Sequence, residues 1–296
     1  MRRVLKVAGI VFGMLVMLVL FGLLSIYLIS EQRLNKTYDV PVEVIDIPSG
    51  AAAVDRGRHL VMAVALCTDC HGKNLSGEYF DDGPLVGRIS IKNLTSGRGG
   101  IGSTMTDEDW VRAIRYGVGK DGKSLIDMPT NLYYKFSDED LGAMIAYLKT
   151  LPRVDNELPP KYIGLLTRIF ILRMPTMLSA TTVDHTGPRP PAPEPGPTAA
   201  YGEYLANVCK QCHGENLSGN NQPGAGFNLT PGGDLADWSE IDFFVAMRTG
   251  LTPEGKKLDP ELMPWDQLRM MSDEELRAIW LYLQSVPAVE TREAAR

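Results

Sequence analysis

The sequence predicts a mainly α protein: one long apolar helix at the amino terminus, then two tandem copies of a small helical unit. Three observations predict this. Residues 7–29 are an uncharged, mostly apolar run, and one set of landmarks recurs in the same order in residues 55–152 and 199–290. Behind the last landmark of each copy, apolar residues fall at i, i+3, i+4, i+7, and no strand-period run of comparable length occurs.

The run from Val7 to Ile29 can cross a hydrocarbon layer of roughly 30 Å as a helix. A cleavable signal peptide would carry a shorter apolar stretch and a small-x-small site, whereas Ser30-Glu31-Gln32-Arg33 follows here. An uncleaved, single-pass anchor in a bacterial cytoplasmic membrane is therefore expected. Arg2, Arg3 and Lys6 precede the run, so the positive-inside rule puts the amino terminus in the cytoplasm and the rest on the periplasmic side. Gly9-x-x-x-Gly13 could pair helices, though glycines are common in such spans. Residues 31–54, with Pro41 and Pro48, read as a tether.

The formal charge of −6 is unevenly spread. Residues 50–155 carry thirteen Lys and Arg against fourteen Asp and Glu, but residues 199–290 carry six against fourteen. An acidic face can steer a basic partner, or simply be solvated. Nothing is basic enough to suggest nucleic acid.

All four cysteines lie in two pentapeptides, Cys67-Thr68-Asp69-Cys70-His71 and Cys209-Lys210-Gln211-Cys212-His213. Cysteines three apart sit about one helical turn from each other, so both sulfurs can bond the two vinyl groups on one haem edge while the next residue offers imidazole to the iron. Structural zinc needs four ligands and each copy offers three. A thioredoxin-like pair wants a βαβ setting and no obligatory His. Chance would not repeat the motif with the same Gly and the same Asn-Leu-Ser-Gly behind it, at 74–77 and 216–219. The reading is two covalently attached haems c, held by Cys67, Cys70, Cys209 and Cys212, with His71 and His213 on the irons.

The remaining landmarks align the copies. Gly57-x-x-Leu60 matches Gly202-x-x-Leu205, Asn93-Leu-Thr95 matches Asn228-Leu-Thr230, and Arg115-x-Gly117 matches Arg248-x-Gly250. Capping hydroxyls at Thr106, Ser137, Ser239 and Ser272 each precede a carboxylate by three residues, and only Ser272 with Glu275 fits the strict capping box. Leu141, Met144, Ile145, Leu148 and Leu276, Ile279, Trp280, Leu283 form buried stripes that Pro152 and Pro287 end. Three extra residues separate Gly57 from Cys67 relative to the second copy.

Of thirteen methionines, Met128 and Met263 alone align as Met with Met, each before a proline and between the same helices. They are the candidate distal iron ligands, since the proline fixes the turn that must project the thioether. His59 reads as surface or core, and His185 has no evident role. Imidazole with thioether raises the potential and fills the iron's coordination, which favours electron transfer over catalysis. Asn93, Thr95, Arg115, Asn228, Thr230 and Arg248 are candidate propionate donors. The alternatives are plain turns for the Asn-x-Thr pairs and dipole complementation for the arginines.

Residues 153–198 connect the copies and end in a Pro-rich, helix-free stretch at 188–197; residues 291–296 form a tail. The apolar residues between Ile163 and Leu178 are expected to pack between the two units, or else to rest on the membrane or a partner subunit.

Together these motifs resemble the class I cytochrome c fold, and in detail the cytochrome c subunits of bacterial periplasmic dehydrogenases for gluconate, alcohols and related substrates. The resemblance covers both units but neither the anchor nor the connecting region, and it departs in having two haem units rather than three. It implies a membrane-anchored dihaem cytochrome that is not itself an enzyme. Such a protein passes single electrons from a periplasmic donor to the respiratory chain, with a dehydrogenase, quinol-oxidising complex or terminal oxidase as partner and no small-molecule substrate. The alternative is a haem enzyme such as a dihaem peroxidase with one open iron.

Overall fold

The computed structural model describes residues 1–187, 191–219 and 226–291, and the chain is mainly helical. The anchor forms α1 (Arg2–Leu34), whose apolar side chains lie exposed from Val4 to Ile29. It is the one helix among the described residues long and apolar enough to cross a membrane.

The first unit comprises α2 (Ala51–His59), α3 (Cys67–His71), α4 (Gly83–Val86), α5 (Asp107–Tyr116), α6 (Thr130–Tyr133) and α7 (Asp138–Lys149). The connecting region contributes α8 (Leu165–Arg173). The second unit repeats the plan without a counterpart of α4: α9 (Ala199–Leu205), α10 (Lys210–His213), α11 (Glu240–Thr249), α12 (Trp265–Leu268) and α13 (Asp273–Ser285).

In each unit the helix before the haem motif crosses the last helix, α2 on α7 and α9 on α13. The crossing explains the first landmark: a Cβ on Gly57 would land on the Ala143 carbonyl, and one on Gly202 on the Ala278 carbonyl. The predicted stripes are buried at these crossings, Leu141 and Ile145 fully and Leu276 and Leu283 almost so. The two stripes belong to one continuous apolar core.

The three-residue difference ahead of the cysteines is a change of helix type. In the first unit α2 continues as a wide π turn, Leu60–Val64, and Leu66 turns left-handed at φ 51°. In the second a tight 3₁₀ turn, Ala206–Cys209, does the same job. The wider turn absorbs the extra residues and still delivers the first cysteine to the start of a short helix.

A small antiparallel sheet was not expected: β1 (Glu78–Asp81), β2 (Gly87–Ile91) and β3 (Tyr162–Ile163), in that order, with Phe80 opposite Ile89 and Arg88 opposite Tyr162. Its strands are short and β1 is exposed throughout, so no apolar alternation announces them.

Three of the caps close as full boxes, at Thr106, Ser239 and Ser272, so Asp serves there as well as Glu. At Ser137 the hydroxyl still accepts from Asp140 N–H, but the Asp140 carboxylate is diverted to Arg56, at 3.0 Å through both Nε and Nη2. Tyr204 Oη takes its place, accepting from Ser137 N–H at 3.1 Å and donating to Asp140 Oδ2 at 2.7 Å. Across the same contact His59 Nε2 lies 2.8 Å from Glu275 Oε2, and Arg56 reaches Glu275 Oε1 and Tyr201 Oη. Aligned positions, Asp140 with Glu275 and His59 with Tyr204, thus meet in pseudo-two-fold fashion, and this polar cluster is the hinge pin between the units.

The connecting region corrects its expectation. Instead of filling the gap between the units, α8 packs on α1 and α4. Arg168 Nη1 donates to Ser30 Oγ and Glu31 Oε2 at 2.9 and 3.0 Å, and its guanidinium covers the Tyr27 ring at 4.3 Å. Arg33 caps the far end of α8 through the Ile171 and Leu172 carbonyls at 3.0 and 3.1 Å. The first three residues of the Pro-rich stretch and the end of the tail lie outside the described residues.

Candidate haem sites

Each motif stands as a short helix with its two thiols free. Burial, with the neighbouring cysteine adding to it, pushes the Cys67 and Cys209 thiols up to about 12. A redox-active pair is instead shifted toward thiolate. No cluster of three or more His, Cys, Asp or Glu suited to a metal ion occurs among the described residues.

Each motif histidine is fixed by a backbone carbonyl. His71 Nδ1 lies 2.8 Å from the Lys92 carbonyl, and His213 Nδ1 lies 2.7 Å from the Phe227 carbonyl. A carbonyl can only accept, so Nδ1 carries the proton in both rings and Nε2 keeps its lone pair for the metal. Burial lowers both imidazole pKa values more than these carbonyls raise them, which keeps the rings neutral.

A glycine that sequence reasoning passed over shapes the second site. A Cβ on Gly226 would lie 2.5 Å from His213 Nδ1 and 2.6 Å from Cε1. Gly226→Ala is therefore expected to displace the ring and cost the second site its haem or its spectrum while sparing the first. Haem-to-protein stoichiometry falling from two toward one would show it; an unchanged stoichiometry and spectrum would contradict it.

Met128 and Met263 are half-buried against the common core, as are Cys67 and Cys209. Their loops are fixed differently. Met128 N–H donates to the buried Ser179 hydroxyl at 3.1 Å, and Asp127, at φ 58°, donates its N–H to the Met177 carbonyl at 3.0 Å. The connecting chain thus holds the first Met loop. In the second unit Met263 N–H donates to Asp259 O at 2.8 Å, within its own loop. Ser179 has no counterpart in the repeat, so alignment of the copies could not reveal it. Tyr133, in the helix after Met128-Pro129, donates its hydroxyl to Ala65 O at 2.8 Å and ties that loop to the segment ahead of Cys67.

The candidate propionate donors are already engaged. Asn93 Nδ2 and Thr95 Oγ1 both donate to the Val154 carbonyl, at 2.9 and 3.0 Å, and Asn228 Nδ2 and Thr230 Oγ1 to the Val289 carbonyl, at 2.7 and 3.2 Å. They staple the loop after the motif to the chain leaving the last helix, and the amide oxygen closes the turn on the Thr N–H at 2.9 Å in each unit. Arg115, fully buried, bonds Asp138 Oδ1 at 2.6 Å and Phe136 O at 2.9 Å; Arg248 bonds Met271 O at 2.7 Å and Asp273 Oδ1 at 2.6 Å. Each arginine spans the mouth of the Met loop, joining the helix before it to the helix after it. Buried polar atoms without a protein partner among the described residues do occur at the first site, at Trp110 Nε1 and Thr130 Oγ1. They come from α5 and α6, which pack together beside Met128-Pro129.

The second unit touches the first motif across the unit interface. Gln267, in the helix after Met263-Pro264, bonds Thr68 and Asp69 of the first motif through its amide. Asn207, two residues before Cys209, donates to Leu132 O of the first Met helix at 2.8 Å. Burial first, and then the charge of Asp69, raises the Cys212 thiol.

Residues 52–148 match the family described as cytochrome c oxidase, cbb3-type, subunit III, and residues 199–287 match the cytochrome c family. Over 84% of its length the chain is 29% identical to the fructose dehydrogenase cytochrome subunit of Gluconobacter japonicus, covering 55% of that protein. It is 26% identical to the cytochrome c subunit of the quinone alcohol dehydrogenase of Gluconobacter oxydans (88% of this chain, 62% of that one). It is 27% identical to the gluconate 2-dehydrogenase cytochrome c subunit of Pantoea cypripedii (84% and 63%). The chain thus spans somewhat over half the length of these relatives.

Proposed function

From the premise that this chain carries two cytochrome c domains, and with them two haems c, we propose that it relays single electrons as the cytochrome subunit of a membrane-bound dehydrogenase. The donor would be a periplasmic dehydrogenase and the acceptor a component of the respiratory chain. Three relatives named as dehydrogenase cytochrome subunits support the donor class. The amino-terminal apolar helix and the basic residues before it support attachment to the cytoplasmic membrane, with both haem units outside.

The observation that carries the proposal is the duplicated donor set: two free thiols, an imidazole whose Nδ1 is spent on a carbonyl, and a methionine on a braced loop. Cys67/Cys70 and Cys209/Cys212 would hold the haems, His71 and His213 would bind iron on one face, and Met128 and Met263 on the other. When bound, each haem supplies a one-electron iron couple. The chain's own contribution is to orient the ligands, exclude water with the α7 and α13 stripes, and fasten the second unit to the first motif through Gln267. A saturated ligand set leaves no position for a substrate, so the chain transfers electrons rather than catalysing.

Protein matured in a competent bacterium should gain the mass of two haems, and its oxidised spectrum should contain a far-red sulfur-to-iron band. Met128→His and Met263→His should each remove part of that band and lower one potential. A mass equal to the bare chain, or a band untouched in both variants, would refute the assignment.

A further inference from the structure

We propose that α8 gives the haem units a second contact with the bilayer, an apolar stripe that lies in the lipid interface beside the point where α1 leaves it. The inference rests on the anchor reading of α1 and adds to it the orientation of the rest of the chain.

Leu166, Phe170 and Met174 are spaced i, i+4, i+8 along one side of α8 and its end, and are 41%, 53% and 49% exposed. The adjoining flank is spoken for: Ile171 is fully buried, and Thr167 donates to Val86 O at 2.7 Å. Leu85, 61% exposed, extends the apolar surface from α4, which packs on α8. Scattered exposed apolar residues need no explanation, but a stripe continued by a neighbouring element does.

Position says what covers it. The uncharged run of α1 ends at Ile29, and the next turn is where α8 is fastened, through Arg168 to Ser30, Glu31 and the Tyr27 ring and through Arg33 to the last α8 carbonyls. Residues 27–33 span about 9 Å of helix, comparable to the roughly 5–10 Å over which an interfacial helix sinks its apolar face. Any bilayer crossed by α1 therefore has its outer boundary level with α8. The exposed apolar side chains of α1 run up to that boundary and the stripe is level with it, so lipid is the occupant that fits. Arg173, exposed at the end of α8, suits the headgroup layer.

The test uses the full haem-loaded chain in nanodiscs of phosphatidylcholine and phosphatidylglycerol, with the irons left oxidised and each saturation curve referenced to the same sample under nitrogen. Single nitroxides are placed through Leu18→Cys, Phe170→Cys and Val44→Cys, the native thiols being consumed by haem. Power saturation with oxygen and with a water-soluble nickel chelate then reads the surroundings of each label. The label at 170 should prefer oxygen several-fold more than the label at 44, as the one at 18 does. If 18 reads lipid but 170 behaves like 44, the stripe faces water; the inference fails and the anchor stands. A label at 170 shielded from both reagents means protein covers it, which overturns the inference in favour of a subunit. A label at 18 in water overturns both readings.

Discussion

Gly57→Ala and Gly202→Ala should each cost the chain at least about 3 kcal/mol, although glycine to alanine inside a helix ordinarily gains about 1 kcal/mol. The sign inverts because the added methyl has nowhere to go. At both positions it would meet a backbone carbonyl of the crossing helix, at Ala143 or Ala278, and behind that the Cβ of Tyr147 or Tyr282. Backbone cannot rotate aside as a side chain can, so α2 must lift from α7, or α9 from α13, and uncover the stripes they bury. Thermal unfolding of the loaded protein should shift down by roughly 15 °C for the affected unit. Gly22→Ala, where nothing lies within 4 Å, is the control and should leave both units unchanged. Wild-type melting in either variant would mean that the crossing is looser than described.

Glu275→Ala is expected to cost about 2–3 kcal/mol, less than a fully enclosed ion pair because Arg56 and His59 remain about a third exposed. The loss has two parts. Glu275 closes the Ser272 cap, accepting from Ser272 N–H at 2.8 Å, and it is the partner of Arg56 and His59 across the unit interface. The units should consequently melt separately, where the wild type is expected to melt as one. Glu274→Ala, on the exposed side of the same turn, should do little. Glu275→Gln keeps the size and can still fill the cap, so it isolates the charge.

The same residue sets an acid limit. Burial raises the Glu275 pKa, but hydrogen bonds from His59 and Ser272 and the charge of Arg56 outweigh it, leaving the carboxyl below its ordinary 4.5. A carboxylate with a depressed folded pKa stabilises fully above the unfolded value and loses that contribution as pH falls through the folded one. The stability gap between wild type and Glu275→Gln should therefore be constant near neutral pH and close below about pH 4.5. A gap that stayed open well below pH 4.5 would contradict the network.

The helices and the candidate donors are legible in the chain because their signals are local. Cys-x-x-Cys-His is five residues long, a capping hydroxyl announces itself three residues before its carboxylate, and a helix stripe repeats every turn. The duplication then selects Met128 and Met263 from thirteen methionines, since two copies under one geometry keep the same residue at the same place. Exposed short strands such as β1 carry no such pattern, and Ser179 and Gly226 act on a methionine and a histidine far from, or merely adjacent to, any repeated landmark.

The polar landmarks show the limit more sharply. Asn93, Thr95, Asn228 and Thr230 stand out by repetition, yet repetition cannot say whether a donor faces a cofactor or a carbonyl. In the fold these amides reach the carbonyls of Val154 and Val289, some sixty residues on. The sequence by itself determined the element types, the twofold repeat and the kinds of donor, because each follows from spacing along a helix or from side-chain chemistry. Tertiary structure alone decided that Gly57 and Gly202 are crossing points, that Asp140 leaves its cap for Arg56, and that α8 lies on the anchor. Those outcomes depend on which surfaces meet, and surfaces meet only once the chain has closed on itself.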